Sequence, residues 1–143
     1  MTLPRYIFYF RRKPGTTPQE FKEYYEQHHL PLLKEIAGDR FPLSHQRYYL
    51  VRDATPKNPA PSSDSDAADS TEVNYVPRVL SGAADDFPWD VYAELTFEDT
   101  QHLHAFLGRL GAQGKRIAED QENFMDCTRV YGAEVEGPFG STV

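Results

Sequence analysis

The order of segments in this sequence predicts an α+β domain, two β-α-β units in tandem joined by an insertion. Three observations carry that expectation. Residues 5–11, 43–51, 89–97 and 127–135 are dense in aromatic and β-branched side chains and read as strands. Residues 18–38 and 100–110 repeat apolar positions at helical spacing and alternate with those strands. Residues 53–86, with Pro56, Pro59, Pro61 and the run Ser62-Ser63-Asp64-Ser65-Asp66, hold too few apolar groups to offset the entropy of ordering. At 143 residues the chain has the size of one domain with its own core. Residues 1–143 therefore read as a single domain with a flexible insertion at 53–86.

The first strand alternates Tyr6, Phe8 and Phe10 with Ile7, Tyr9 and Arg11, bulky on both sides, which predicts cover on both faces. Pro14-Gly15 marks a turn. Thr17 and Glu20 have capping-box spacing, Pro18 suits the first helical position, and Gly38 supplies a stop. Pro31 removes an amide and crowds the turn before it, so a kink is expected there. Pro42 leads into the second strand. In the third, Val91, Ala93, Leu95 and Phe97 share one face, and Tyr92, Glu94 and Thr96 the other. Asp99 is placed to cap the second helix, whose Leu103, Phe106, Leu107 and Leu110 form an apolar stripe. A short helical piece is expected at 115–124. The patch 73–80 is apolar enough to fold back from the insertion onto the body. The β-α-β-β-α-β order is the ferredoxin-like arrangement, a four-stranded antiparallel sheet with both helices on one face. Tyr, Phe and Val residues alternate onto the other face, and pairing of two copies about a two-fold axis, a homodimer, is the expected cover.

A formal charge of −7 attracts neither phosphate backbones nor anionic lipid, so neither nucleic acid nor membrane is an expected partner. The single cysteine, Cys127, fits a reducing compartment. The apolar run at 6–10 is too short to span a bilayer, and a soluble, cytoplasmic protein is expected. The sequence has no phosphate-binding glycine loop and no nucleophile elbow. Its five histidines lack the spacing of metal ligands, so no metal and no cofactor is expected. Cys127 reads as a packed strand residue, not a nucleophile.

The first helix carries the chemistry. At about 100° per residue, Phe21, Tyr25, Leu32 and Ile36 share a face, with His28 and His29 flanking it. An imidazole beside a core stripe can move protons near neutral pH, since its ordinary pKa is about 6.5. Tyr25 lies one turn before His29 and is placed to orient it or to donate to a substrate oxygen; the alternative is an aromatic core residue. On the second strand His45, Arg47 and Tyr49 share a face able to hold an enolate or carboxylate, through a proton, a guanidinium fork and a hydroxyl donor. The competing view is a solvated or dimer-facing surface. Glu94 needs a partner if buried, either Arg47 or an arginine of a second copy. His102 and His104 fall off the apolar stripe and read as surface residues. Tyr6, Phe8, Phe10, Tyr24, Tyr25, Trp89 and Phe106 suit a planar apolar ligand, although much of this set must also be core.

Several features taken in order resemble the EthD-domain family of the dimeric α+β-barrel superfamily. They are Arg11-Arg12-Lys13-Pro14-Gly15, Glu20-Phe21, Tyr24-Tyr25, and His29-Leu30-Pro31-Leu32, which fits the family's His-x-Pro-Leu pattern. The block from Asp90 to Phe97, then Phe124-Met125-Asp126 with Cys127-Thr128-Arg129, completes the set. The tryptophan often found at the position of Tyr25 is absent, and the acidic, serine-rich insertion is not part of the common pattern. The resemblance implies a dimeric ferredoxin-like fold with a site between helices and sheet for a flat hydrophobic molecule. Small fungal relatives of aromatic polyketide pathways are described as decarboxylases or dehydratases. By that analogy the chain is expected to be a cofactor-independent lyase of secondary metabolism acting on an aromatic polyketide. Its expected catalytic residues are His29, His28, Tyr25 and His45. Tyr6, Phe8, Phe10, Arg47, Tyr49, Trp89 and Phe106 are expected to bind substrate. Alternatives are an anthrone-type or haem-dependent oxygenase, a polyketide cyclase, and a non-catalytic binder in which His29 satisfies a backbone carbonyl.

Overall fold

The computed structural model describes residues 3–56 and 73–143. The chain divides into two compact units, Met1–Tyr49 with Trp89–Val143, and Leu50–Pro88. The elements in order are β1 (Arg5–Arg12), α1 (Pro18–Tyr24), α2 (Leu30–Ala37), β2 (Ser44–Tyr49), β3 (Arg52–Pro56), β4 (Val73–Pro77), β5 (Val91–Thr96), α3 (Thr100–Ala112), α4 (Gly114–Gln121) and β6 (Met125–Val135). In the larger unit four antiparallel strands lie in the order β2-β5-β1-β6. This is the expected ferredoxin-like α+β fold.

Register sorts the sheet into two faces. Tyr6, Phe8 and Phe10 pair with Leu95, Ala93 and Val91, and these in turn with His45, Arg47 and Tyr49. Directly paired residues project to the same side, so this is the face that meets the helices. Phe21 and Tyr25 pack with Val91, Phe124 and Met125, while Ala37 and Phe106 pack with Ala93, Leu95 and Phe97. The other face carries a row across all four strands, Tyr131, Tyr9, Tyr92 and Tyr48.

Local signals end the helices where expected. The Thr17 hydroxyl accepts the Glu20 amide at 3.0 Å, and the Glu20 carboxylate accepts the Thr17 amide at 3.0 Å. The Asp99 carboxylate accepts the His102 amide at 2.7 Å. α2 stops at Gly38, whose φ of 56° suits glycine, and Arg109 of α3 donates to the carbonyl of Ala37 at 2.7 Å.

Four details correct the sequence-based expectations, and a fifth gives the form of the helix at Pro31. The 53–86 region carries a β-hairpin, β3 with β4, which includes part of the 73–80 patch; the proline- and serine-rich run 57–72 lies outside the described residues. Ahead of Pro31, where a kink is expected, the helix is irregular. The chain stays helical through a single widened turn over Tyr25–His29, in which the Leu30 amide donates to the Tyr25 carbonyl five residues back. Pro31 has no amide for the Gln27 carbonyl and its ring crowds it, and a wider turn relieves that crowding. His102 is buried, not a surface residue. Its Nδ1 accepts the Glu98 amide at 3.0 Å, while Nε2–H donates to the carbonyls of Arg40 and Phe41 at 3.1 and 3.0 Å. Glu94 takes Arg5 at 3.2 Å, not Arg47, because Arg47 projects to the opposite face. Cys127 is exposed, since β6 is an edge strand largely uncovered beyond Met125; the partial cover left over its sulfur, with the Glu122 and Asp126 carboxylates, pushes the thiol up.

β6 also fixes a close approach. A Cβ on Gly132 would lie 2.5 Å from the ring of Phe8, its pairing partner. Gly132→Ala is expected to cost about 1–3 kcal/mol in chemical denaturation, and a second change, Phe8→Leu, to recover part of it. An unshifted midpoint for the single variant would show that the Phe8 ring yields without cost.

Candidate functional site

The widened turn decides which histidine enters the core. One extra residue in a turn rotates everything after it by about 100°. The core face therefore passes from Phe21 and Tyr25 to His29, Leu30 and Ala37, all buried, whereas Leu32 and Ile36 are only partly covered. His28 is turned outward and exposed, its ring 4.9 Å from that of Tyr24. His29 is 2 % exposed and packs on Phe124 at 4.9 Å and edge-on to Tyr25 at 5.7 Å.

His29 is held through one nitrogen. Its Nδ1 lies 2.7 Å from a carboxylate oxygen of Asp120 on α4. A carboxylate only accepts, so Nδ1 carries the proton and Nε2 keeps its lone pair. The second Asp120 oxygen accepts the Tyr24 hydroxyl at 2.7 Å, and that hydroxyl accepts from the Asn123 amide at 2.9 Å. Two effects on the imidazole oppose each other. Burial disfavours the charged ring, the Asp120 carboxylate favours it, and burial wins, so His29 titrates below its ordinary value. At neutral pH it is an uncharged imidazole of fixed tautomer, the form that accepts a proton at Nε2.

A second group lies on β2. Glu26, in the widened turn, receives both Nε and Nη2 of Arg47 at 2.6 and 2.8 Å, and the Tyr49 hydroxyl at 2.5 Å. The guanidinium hydrogen bonds hold Glu26 below the usual carboxylate range. Burial above all pushes Tyr25 and Tyr49 up, so both stay protonated and able to donate. His45 lies between the rings of Tyr25 and Phe41, at 6.4 and 5.9 Å. Burial, with Arg47 adding to it, drives His45 down to about 4. Both of its ring nitrogens are closed off from solvent and lack a hydrogen-bond partner among the described residues. Each such atom costs about 1–3 kcal/mol.

Of the residues singled out from sequence, His29, Tyr25, His45, Arg47 and Tyr49 come together on the helix side of the sheet. Phe10 joins them, 6.3 Å from Tyr25, and stacks with Phe8. Tyr6 packs against Phe97, and Phe106 stands edge-on to Phe41 at 6.4 Å. His28 stands at the exposed edge. Trp89 is not brought to this group: its ring packs on Tyr9 and Tyr92, at 5.4 and 5.9 Å, on the opposite face. Sequence reasoning missed Asp120, Tyr24 as its donor, and Glu26. Asp120 is 91 positions from His29 and looks like any surface carboxylate on a polar helix. Among the described residues no three His, Cys, Asp or Glu side chains cluster as metal ligands, and no helix is long and apolar enough to cross a membrane.

Comparison with known proteins agrees with this architecture. An ethyl tert-butyl ether D (EthD) family protein of Bacillus halodurans aligns at TM-score 0.50 and 15 % identity, over 95 % of this chain and all of that one (100 %). A hypothetical protein of Arabidopsis thaliana aligns at TM-score 0.50 and 10 % identity, over 99 % of this chain and 94 % of that one. At such identities the likeness shows the fold alone. No curated protein matches the sequence. The EthD domain profile matches residues 13–128, from just after β1 through all the helices into β6. That span contains the His29–Asp120 pair and the His45 strand, and the chain belongs to the EthD-domain family.

Proposed function

We propose that the protein is a cofactor-independent lyase acting on an aromatic polyketide intermediate, and that dehydration is the reaction its site suits best. The observation behind this reading is the buried His29, with Nδ1–H held by Asp120 and a basic Nε2 left for substrate. Decarboxylation needs an acid to protonate carbon. An imidazole kept neutral by burial is a base first.

In a β-hydroxy ketone, His29 Nε2 removes the proton from the carbon between the two functional groups. The electron pair moves onto the carbonyl oxygen, where a protonated tyrosine hydroxyl, Tyr25, donates to the enolate. The enolate then re-forms the carbonyl as the carbon–carbon double bond forms and the β C–O bond breaks. The departing hydroxyl takes the proton back from His29 and leaves as water, so acid and base are both restored. The Asp120 carboxylate holds Nδ1–H and stabilises the imidazolium while it exists. The aromatic walls keep the enolate dry.

Incubation with a hydroxylated, partly reduced anthracenone under argon, followed by mass spectrometry, tests the reading. Loss of one water is the expected result. Loss of carbon dioxide from a carboxylated substrate would assign decarboxylation instead, and an oxygen-dependent gain in mass would replace the lyase by an oxygenase.

A homodimer through the outer sheet face is part of the same proposal. Tyr48 and Tyr131 are 46 % and 62 % exposed at the two ends of the tyrosine row. The inner pair stacks, Tyr9 on Tyr92 at 5.9 Å, with Tyr48 on Tyr92 at 4.8 Å. Such a flat aromatic face is matched by a second copy of itself. Sedimentation of the wild-type chain is expected at dimer mass and of Tyr92→Lys at monomer mass. A dimer that survives the substitution would place the interface elsewhere.

A further inference from the structure

His45 takes no part in the proton transfers assigned to His29, yet its environment is specific. It stands on β2 opposite Leu95, and its two ring nitrogens are buried without a hydrogen-bond partner among the described residues. The charges beside it are already engaged. Arg47 donates through Nε and Nη2 to Glu26 and through Nη1 to the backbone carbonyl of His45 itself, at 2.7 Å. Glu26 is shared between Arg47 and Tyr49. Lys34 is exposed and lies over the Phe41 ring at 5.9 Å.

We infer that His45 is the recognition point for an uncharged phenol or enol hydroxyl of the ligand, its bare ring nitrogen accepting that hydroxyl and its N–H serving a neighbouring carbonyl. A carboxylate does not fit there. It can only accept, which leaves the bare nitrogen unsatisfied, and it would sit beside Glu26 without a free guanidinium to balance it. A hydroxyl supplies the donor that the nitrogen lacks, and the ring walls of Tyr25 and Phe41 suit an aromatic or enolised carbon frame. Phe41 is the wall of His45 that stands on the outer side of this site. It is only partly buried and lies on the short connection between α2 and β2. This assignment rests on the lyase site proposed above and narrows its substrates to those presenting a neutral oxygen end to β2.

The test titrates the full chain with three probes: anthraquinone, a peri-dihydroxyanthraquinone and an anthraquinone carboxylate. Wild type is expected to bind the dihydroxy probe about tenfold more tightly than the parent, the scale of one good hydrogen bond, and the carboxylate no more tightly than the parent. In His45→Phe the dihydroxy preference should vanish while the parent still binds. Nitrogen NMR of the wild-type imidazoles, which needs no variant, should show the His45 ring shifting with the dihydroxy probe. A preference that survives His45→Phe, a carboxylate bound most tightly, an unmoved His45 signal or no binding of any probe would overturn the inference. The two proposals fail separately. His45-dependent binding without turnover sinks the lyase and keeps the recognition site. Turnover that needs His29 but ignores His45 does the reverse.

Discussion

His29→Ala is expected to lower turnover by about 100- to 10,000-fold, the range for losing a positioned general base. The loss should fall on kcat, because in the proposed dehydration the imidazole acts on a carbon–hydrogen bond that is broken only in the transition state. Folding should survive, since Phe124, Tyr25 and Phe21 pack the same region without the imidazole. The pH profile gives an independent check. Burial lowers the His29 pKa, so the active neutral form prevails above it and is lost as pH falls through the shifted value. The acid limb of kcat/KM should therefore lie below about 6.5, the ordinary histidine value. A limb above that value would mean that the Asp120 carboxylate outweighs burial, and His29 would then be the acid of a decarboxylase. Stability should follow the same sign. His29 and His45 both titrate lower in the folded chain than free histidine, so acidification from about 6.5 toward 4 favours the unfolded state, which takes up those protons first.

Asp120→Asn is expected to be the second large effect, about 100-fold to 10,000-fold in kcat with the fold intact. In the proposed mechanism Asp120 is a positioning residue, acting through His29. An asparagine can turn its amide toward Nδ1 and donate, which forces the His29 proton onto Nε2 and presents the substrate with a donor in place of a base. The carboxylate also raises the His29 pKa, so its removal should move the acid limb to still lower pH. A merely structural carboxylate would lower stability and leave that limb in place. Tyr24→Phe is the milder control. It removes one donor from Asp120 but keeps the His29 contact, so a small drop in rate with an unmoved limb is the expected result. Equal damage from both variants would show that the network acts through packing and not through the tautomer.

Much of the scaffold was legible because it is local. Thr17 with Glu20 makes both bonds of its capping box, Asp99 caps α3, and the alternation of Val91, Ala93 and Leu95 against Tyr92 and Glu94 fixes the two faces of β5. These outcomes depend on neighbours within a turn or on a two-residue period, which sequence carries directly. The His-x-Pro-Leu pattern, read beside the strand order, was enough to point to the family and to put His29 first.

What only the tertiary structure decided is which groups meet. A straight α-helical wheel put His28 and His29 on an equal footing. The widened turn ahead of Pro31 buried one and exposed the other, and no side-chain pattern records a one-residue change of helical phase. Asp120 reaches His29 from another helix, and Arg47 finds Glu26 and not Glu94 because strand register sends them to the same side. Trp89 joins the tyrosine face through its ring contacts with Tyr9 and Tyr92. Local propensities determined the elements of this protein. Long-range packing, which pairs residues that the chain itself keeps far apart, buried His29, fixed its tautomer and left His45 unsatisfied, the group on which recognition is proposed to depend.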